Sequence, residues 1–448
     1  MFRSSTIKAF FAKLLFKRKK VAAQKIDARC IIPRSQHTIS RANISPNALK
    51  VLYRLKSAGY QAYIVGGGVR DLLLNLRPKD FDIVTDAHPH QVKDLFTNCR
   101  LIGRRFRLAH VHFGREIIEV ATFRGTDSDD GTQEHHDSGI IKRDNTYGTL
   151  EEDIWRRDIT INALYYNIDG FSIIDAVNGM DDINNKIIRV IGDPKLRYRE
   201  DPVRMLRVVR LAAKLNFTIE KQSLAPIKKM APMLDDISHA RLFDEVYKLF
   251  HTGAALKTFH LLYQQHLFHR LFPQTVATIE QNPQAKTLIE YACRNTDARV
   301  KQDKKVTPAF LFAIFLWHTY KKRALELSAE MPRAQANNIA ASQVITTQIK
   351  NTAIPKILVM AIRDIWHLQF RLTCPVTQKT FEVLDHPRFR AAYDFLLLRA
   401  EIDPEYKEKA AWWTRLQEVD PVTQTQMLTD EIKKNQKPKT KKRPKKKL

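Results

Sequence analysis

Two aspartates one residue apart, Asp80 and Asp82, stand in Lys79-Asp80-Phe81-Asp82-Ile83-Val84 of the 448-residue chain. Strand side chains alternate faces, so an extended segment here points both carboxylates the same way, roughly 6–7 Å apart. Hard oxygen ligands at that spacing suit Mg2+. Just before them, Val65-Gly66-Gly67-Gly68-Val69-Arg70-Asp71-Leu72 carries an apolar strand into glycines and then a helix. Gly66 and Gly67 let a phosphate approach the backbone, and a helix N-terminus offers it free amides. Arg70 lies where a guanidinium could reach a triphosphate; an ion pair with Asp71 or Asp86 is the competing use. A dinucleotide-binding loop is excluded, because Asp71 occupies the place of its third glycine. The layout is that of metal-dependent phosphoryl or nucleotidyl transfer.

Polymerising nucleotidyl transfer calls for two Mg2+ ions about 3.5–4 Å apart. Asp80 and Asp82 supply the first ligands, and a third carboxylate is expected. Two residues compete for that place. Glu119 lies in the mostly apolar Ile117-Ile118-Glu119-Val120-Ala121-Thr122-Phe123, where a charge demands a partner. Asp158 follows Arg156-Arg157 and opens an apolar segment. Both stay open at this level. Arg124 and Arg157 are further phosphate candidates.

The elements that must position these groups can be read coarsely. A helix is expected over 46–62 with a stop at Gly59, strands at Tyr63–Val65 and Phe81–Thr85, and a helix over Val69–Leu74 between them. Gln91–Phe96 reads as helical, and Arg107–Phe113 and Glu116–Phe123 as strands paired around Gly114. This predicts an α/β head with a mixed sheet. Thr126–Gly148 reads as a polar loop, and its His135-His136-Asp137 as part of that loop rather than a metal site. From Asp153 onward prolines punctuate helical apolar spacings, so an all-α neck and body should follow. The expected organisation is a basic extension (1–45), the head (46–185), a neck (186–270), a body (271–420) and a disordered Lys-rich tail (421–448).

Charge points to the partner. The formal net charge is +27, with seven basic residues and no acid in positions 1–20, and ten and none in 433–448. The remainder is still clearly basic, which fits a polyanion such as RNA. Four scattered cysteines make no Cys-x-x-Cys pair, so a zinc or disulfide framework is not expected, and a reducing cytoplasm fits. Ala309–Trp317 is too short to span a bilayer. The apolar segment around Phe10–Phe16 is broken by Lys13 and lacks a cleavage site, leaving at most a basic amphipathic helix for a surface or a partner.

Taken together, these motifs resemble the class II nucleotidyltransferases, a family of tRNA CCA-adding enzymes and bacterial poly(A) polymerases. The resemblance rests on Gly-Gly-x-Val-Arg-Asp-x-Leu-Leu with Lys79-Asp80-Phe81-Asp82. It extends to Arg156-Arg157-Asp158-Ile159-Thr160-Ile161-Asn162-Ala163-Leu164, where Ile159 replaces the usual Phe, and to Glu200-Asp201-Pro202-Val203-Arg204-Met205-Leu206-Arg207. It covers roughly residues 30–415. It implies an active-site role for Asp158 and a base-selecting helix carrying Asp201 and Arg204, braced by Glu200 and Arg207. Three residues apart on a helix, a carboxylate and a guanidinium share one face. They match the N6 donor and N1 acceptor of adenine; a plain salt bridge is the other reading. Leu101-Ile102-Gly103-Arg104-Arg105-Phe106-Arg107-Leu108-Ala109-His110 resembles the polymerase branch. The expected activity is therefore addition of AMP from ATP to RNA 3′ ends, tagging RNA for decay, with RNA-decay proteins as partners. CCA addition to tRNA is the runner-up, and a non-catalytic RNA-binding protein the reading from another class.

Overall fold

The computed structural model describes residues 30–103, 107–125, 146–377 and 380–436. The chain divides into two compact units, Met1–Glu200 and Asp201–Leu448. The boundary falls after Glu200. Arg197 fastens the helix Pro194–Glu200 to the first unit through the carbonyls of Arg156 and Arg157, and the amide of Ile191 bonds the carbonyl of Asp158 at 3.2 Å.

The first unit is built on an eight-stranded sheet. Its strands are β1 (Ile31–Ile32), β2 (Ala62–Val65), β3 (Asp82–Thr85), β4 (Cys99–Ile102), β5 (Leu108–Phe113), β6 (Glu116–Thr122), β7 (Tyr165–Tyr166) and β8 (Ile173–Ile174), in the order β1-β8-β7-β2-β3-β6-β5-β4. Neighbours are antiparallel except β3 and β6, which run parallel, so the sheet is mixed as expected. Gly114, at φ +62, turns β5 into β6. Val65, Val84, Phe123, Ile154, Tyr165 and Ile174 belong to one buried cluster against the sheet.

Four helices of this unit position the site. α1 (Pro46–Ser57) ends before Gly59, whose φ of +89 reverses the chain, so it is shorter than expected. The Ser45 hydroxyl caps it, accepting from the amides of Asn47 and Ala48. Glu116, at the start of β6, accepts from Asn47 at 2.6 Å and so ties α1 to the sheet. α2 (Gly67–Leu73) follows β2 directly, and α3 (Pro89–Leu95) follows β3. α4 (Leu150–Arg156) opens with a capping box between Thr149 and Glu152.

The second unit is helical apart from the two-residue strand Thr218–Ile219. It runs through α5 (Val203–Leu215), α6 (His239–Phe250), α7 (Pro273–Gln281), α8 (Pro283–Lys301), α9 (Pro308–Phe315), α10 (Trp317–Leu327), α11 (Arg333–Ile349), α12 (Lys356–Thr373), α13 (Phe389–Ile402) and α14 (Lys407–Glu418). α9 is buried on every side, as a core helix should be. No helix among the described residues is long and apolar enough to cross a membrane.

One expectation is corrected here. Residues 421–436 are not disordered but form α15 (Pro421–Gln436). Asp420 starts it, accepting from the amides of Val422 and Thr423. Leu428 is fully buried against Leu416, Trp413 and their neighbours, which stabilises the helix by about 1.5–3 kcal/mol. A single buried leucine in a polar stretch is too faint a periodic signal to read. The basic N-terminal segment up to residue 29, His135-His136-Asp137, Arg104–Phe106 and residues 437–448 of the Lys-rich tail lie outside the described residues.

Candidate active site

Gly66 closes β2 and caps α2 at φ +73, ψ −136, a conformation that favours glycine. A Cβ there would sit 3.7 Å from Nη1 of Arg157 and 3.9 Å from Oδ2 of Asp82. The turn therefore lies against the one strand-borne aspartate and beside a cation. The amides of Gly67, Gly68 and Val69 precede the first hydrogen bond of α2, which runs from Arg70 to the Gly66 carbonyl.

Asp82 is the first residue of β3, and Asp80 lies just ahead of the strand. Both are exposed. Asp82 pairs in register with Val65 on one side and with Glu119 of β6 on the other. In a parallel pair such partners project from the same face. The Asp82 carboxyl is pushed up to about 6, by desolvation first and then by the charge of Glu119, with Arg157 opposing and Asp80 adding to the rise. Three carboxylates thus share one patch of surface, and the charges of Glu119 and Asp80 make Asp82 harder to ionise.

Glu119 is exposed, and its Oε1 lies 3.3 Å from Nε2 of His110, its antiparallel partner on β5. The sequence reading passed over His110. The hairpin about Gly114 would have located it, since pairing Phe113 with Glu116 brings His110 opposite Glu119. Asp158 adjoins Arg157, and its charge acts on that guanidinium.

Arg157 is held from several sides. Its Nε donates to the Tyr165 hydroxyl at 2.6 Å and its Nη2 to Asp153 at 3.3 Å. Tyr165 in turn donates to Asp153 at 2.6 Å. Burial would lower its pKa, yet the Tyr165 oxygen and the carboxylates of Asp153 and Asp158 raise it above the usual arginine range. Asp153 also accepts from the backbone amide of Arg124 at 3.2 Å, fixing where that residue leaves β6. Neither Asp153 nor Tyr165 was singled out from sequence, because an acid within a helix and a tyrosine within a strand carry no signal by themselves.

Arg70 is 5 % exposed, and its fork is committed: Nε and Nη2 donate to Asp71 at 2.9 and 2.6 Å, and Nη1 to Asn162 at 2.7 Å. The guanidinium folds back over Gly67, where a Cβ would meet Nη2 at 3.3 Å. Arg70 braces α2 against the Thr160–Asn162 turn, and its ion pair with Asp71 is the competing use of the guanidinium. Arg157 is the arginine that stands beside Asp82 and Gly66.

In the second unit Asp201 precedes α5 rather than lying on it, so the expectation of one helical face shared with Arg204 fails. Pro202 breaks the helix between them. Asp201 is buried, accepting from the Val203 amide at 3.3 Å and from Nη2 of Arg241, on α6, at 2.7 Å. Burial alone would raise its carboxyl, but Arg241, followed by Arg207 and Arg204, holds it below the usual range. Arg207 approaches the buried Glu245 at 4.0 Å. Arg241, thirty-seven positions from Arg204 in the chain, could not be found from a local motif.

Among the described residues no three His, Cys, Asp or Glu side chains converge to hold a metal by themselves. Mg2+ does not require this. It keeps water and substrate oxygens and takes one or two protein carboxylates. Asp80 and Asp82, crowded with negative charge beside a glycine, fit that ion.

Comparison with known proteins places the chain among nucleotidyltransferases. The family described as Poly A polymerase head domain matches residues 62–189. The "Probable RNA and SrmB- binding site of polymerase A" matches 216–278, and the polymerase A arginine-rich C-terminus matches 329–447. The chain is 46 % identical over 435 residues to Poly(A) polymerase I of Salmonella typhi, covering 94 % of each. Similarity to a CCA-adding enzyme of Lactobacillus helveticus is 40 % over 202 residues, 45 % of this chain and 49 % of that one. In structure, the Bacillus stearothermophilus CCA-adding enzyme shares the fold at a TM-score of 0.57 and 24 % identity, over 83 % of this chain and 84 % of that one.

Proposed function

The chain belongs to the bacterial poly(A) polymerase family of nucleotidyltransferases, and on that premise we propose that it extends RNA 3′ ends with AMP from ATP at the Asp80–Asp82–Glu119 cluster. The observation that carries this assignment is the pairing of Asp82 with Glu119 across β3 and β6, beside Gly66 and Arg157.

Asp80 and Asp82 would hold the Mg2+ that the reaction needs. When bound, the ions acidify the RNA 3′-hydroxyl and neutralise charge at the α-phosphate. Glu119 is the third carboxylate, with His110 steadying it. Asp158 acts through Arg157, which contributes positive charge beside the phosphates. Gly66 and Gly67 let the triphosphate lie close to the amides of α2. The 3′-oxygen forms its bond to the α-phosphorus, pyrophosphate leaves, and the hydroxyl proton passes to solvent. Asp201, fixed by Arg241, and Arg204 recognise the adenine edge, with Arg207 supporting them. Arg124 borders the phosphate region through its tie to Asp153. The helical unit and the basic tail hold RNA by phosphate contacts, which are insensitive to sequence and sensitive to salt. Tagging of RNA for decay in the cytoplasm, with decay proteins as partners, completes this reading.

The test offers a generic RNA, and separately tRNA lacking its terminal CCA, each with single nucleotides and Mg2+. Long, heterogeneous adenosine tails on the generic RNA are expected. Addition of one to three residues, confined to tRNA and requiring CTP, would replace this reading with CCA addition.

A further inference from the structure

The helical unit contains a cavity of about 810 Å3 whose walls come from α7, α8, α10, α12, α13 and the start of α11. Its inner surface is aromatic, with Trp317, Tyr320, Phe370 and Tyr406. Arg399, 8 % exposed, lies across that surface, its guanidinium carbon 4.9 Å from the Trp317 ring centroid and 3.9 Å from that of Tyr406. Arg333 stands over Phe370 at 5.4 Å. Lys321, Lys322 and Arg333 are exposed at the rim.

The lining is unbalanced in charge, for these four cations meet the single carboxylate of Asp403. Among the described residues, Lys321, Lys322 and Arg333 take part in no ion pair. Desolvation first, then Arg399, lowers the Lys321 ammonium below its usual range, with Glu405 and Asp403 opposing and Arg333 adding to the effect. Burial, Lys321 and Arg399 push His318 down to about 4, so its ring is neutral at physiological pH. Rim cations that outnumber the nearby carboxylates, beside aromatic rings, form a surface for a ligand that is anionic outside and aromatic inside.

A second cavity of about 490 Å3 shares Thr278, Gln281 and Lys322 with it and adds the polar Gln274, Thr319 and Gln343 and the ion-paired Arg323 and Glu326. Two cavities with a common wall make a groove that offers contacts to successive units of a polymer, which favours a polymer over a free mononucleotide.

We propose that this groove seats single-stranded RNA, with an unstacked base against Phe370 and Tyr406 and its flanking phosphates on Lys321, Lys322 and Arg333. It is a second RNA-holding site, built from residues the transfer chemistry does not use. The identity of the polymer rests on the polymerase reading given above; the groove itself does not.

The test uses the full-length protein and a fluorescent oligoadenylate. Lys321→Ala combined with Arg333→Ala changes two exposed side chains. Affinity for the oligoadenylate should fall about tenfold, and the slope of log affinity against log salt should drop by about 1.4, at ~0.7 per neutralised phosphate on a single strand. At saturating RNA, kcat and the KM for ATP should stay unchanged. Phe370→Leu should weaken binding with an unaltered salt slope. RNA carrying 8-azidoadenosine should label peptides around Phe370 or Tyr406 on irradiation. Unchanged affinity and slope in the double variant would overturn the proposal. So would labelling of the cavity by 8-azido-ATP that oligoadenylate fails to displace, which would mark a mononucleotide site. Failure of the wild-type protein to extend any RNA would count against the polymerase reading alone, because the binding titration judges the groove separately.

Discussion

Asp82 and Glu119 occupy matching positions on the two parallel strands at the middle of the sheet, and the charge of Glu119 is the leading one that raises the Asp82 carboxyl. A fold optimised for stability alone would not place like charges there. The arrangement is understandable if a cation joins them during the reaction.

The cost of this cluster should be measurable in the metal-free protein. The Asp82 pKa lies above its ordinary value of 3.8, at about 6, so the folded state binds the proton more tightly than the unfolded state does. Its contribution to stability is therefore greatest below pH 4, declines as pH rises to about 6, and is flat beyond. Asp82→Asn should raise the metal-free Tm at pH 7 and leave it unchanged near pH 4. Because the side chain is exposed, the gain should be only about 1 kcal/mol or less. The same variant, like Asp80→Ala, should lose more than nine-tenths of AMP incorporation under saturating Mg2+. Retained activity would remove these residues from the metal site.

Glu119→Ala and Asp158→Ala should separate by their metal dependence. Loss of Glu119 should raise the Mg2+ concentration needed for half-maximal activity, whereas loss of Asp158 should leave that value near wild type. Asp158→Ala should instead raise the KM for ATP, because Arg157 loses a neighbouring carboxylate. The converse pattern, seen in Mg2+ titrations of AMP incorporation, would exchange the two roles.

Arg70→Ala should behave as a folding defect. It strands Asp71, itself 8 % exposed, and loss of one partner from such a buried pair costs about 3–5 kcal/mol. Denaturant midpoints should show that loss. Arg70→Lys should recover only part of it, since an ammonium cannot span Asp71 and Asn162 as the guanidinium fork does. A variant of normal stability with a raised KM for ATP would restore Arg70 as a phosphate ligand.

Arg241→Ala should resemble Asp201→Ala in nucleotide choice. Both should relax the preference for ATP over CTP and GTP, the first because Asp201 loses the guanidinium that orients it at 2.7 Å. Competition assays with mixed nucleotides measure the effect. A slower Arg241→Ala variant with undiminished ATP preference would make that ion pair purely structural.

The sequence by itself determined the α/β head, its glycine turn, the pair Asp80 and Asp82, and the helical remainder. These follow from local rules: side chains alternate along a strand, glycine tolerates positive φ, and helical apolar spacing repeats within a few residues. Even the pairing of His110 with Glu119 was within reach through the Gly114 turn. The tertiary structure decided what depends on partners distant in the chain. It set Glu119 beside Asp82 because β3 and β6 are joined by a crossover whose register no local pattern encodes. It turned Arg70 inward because Asn162, ninety-two residues later, supplies the third contact of its fork. It set Arg241 on Asp201 and gathered the rim cations of the second groove from separate helices. Charge and hydrogen bonding act through space, so a residue's type names the chemistry it can perform, while folding chooses which neighbour receives it.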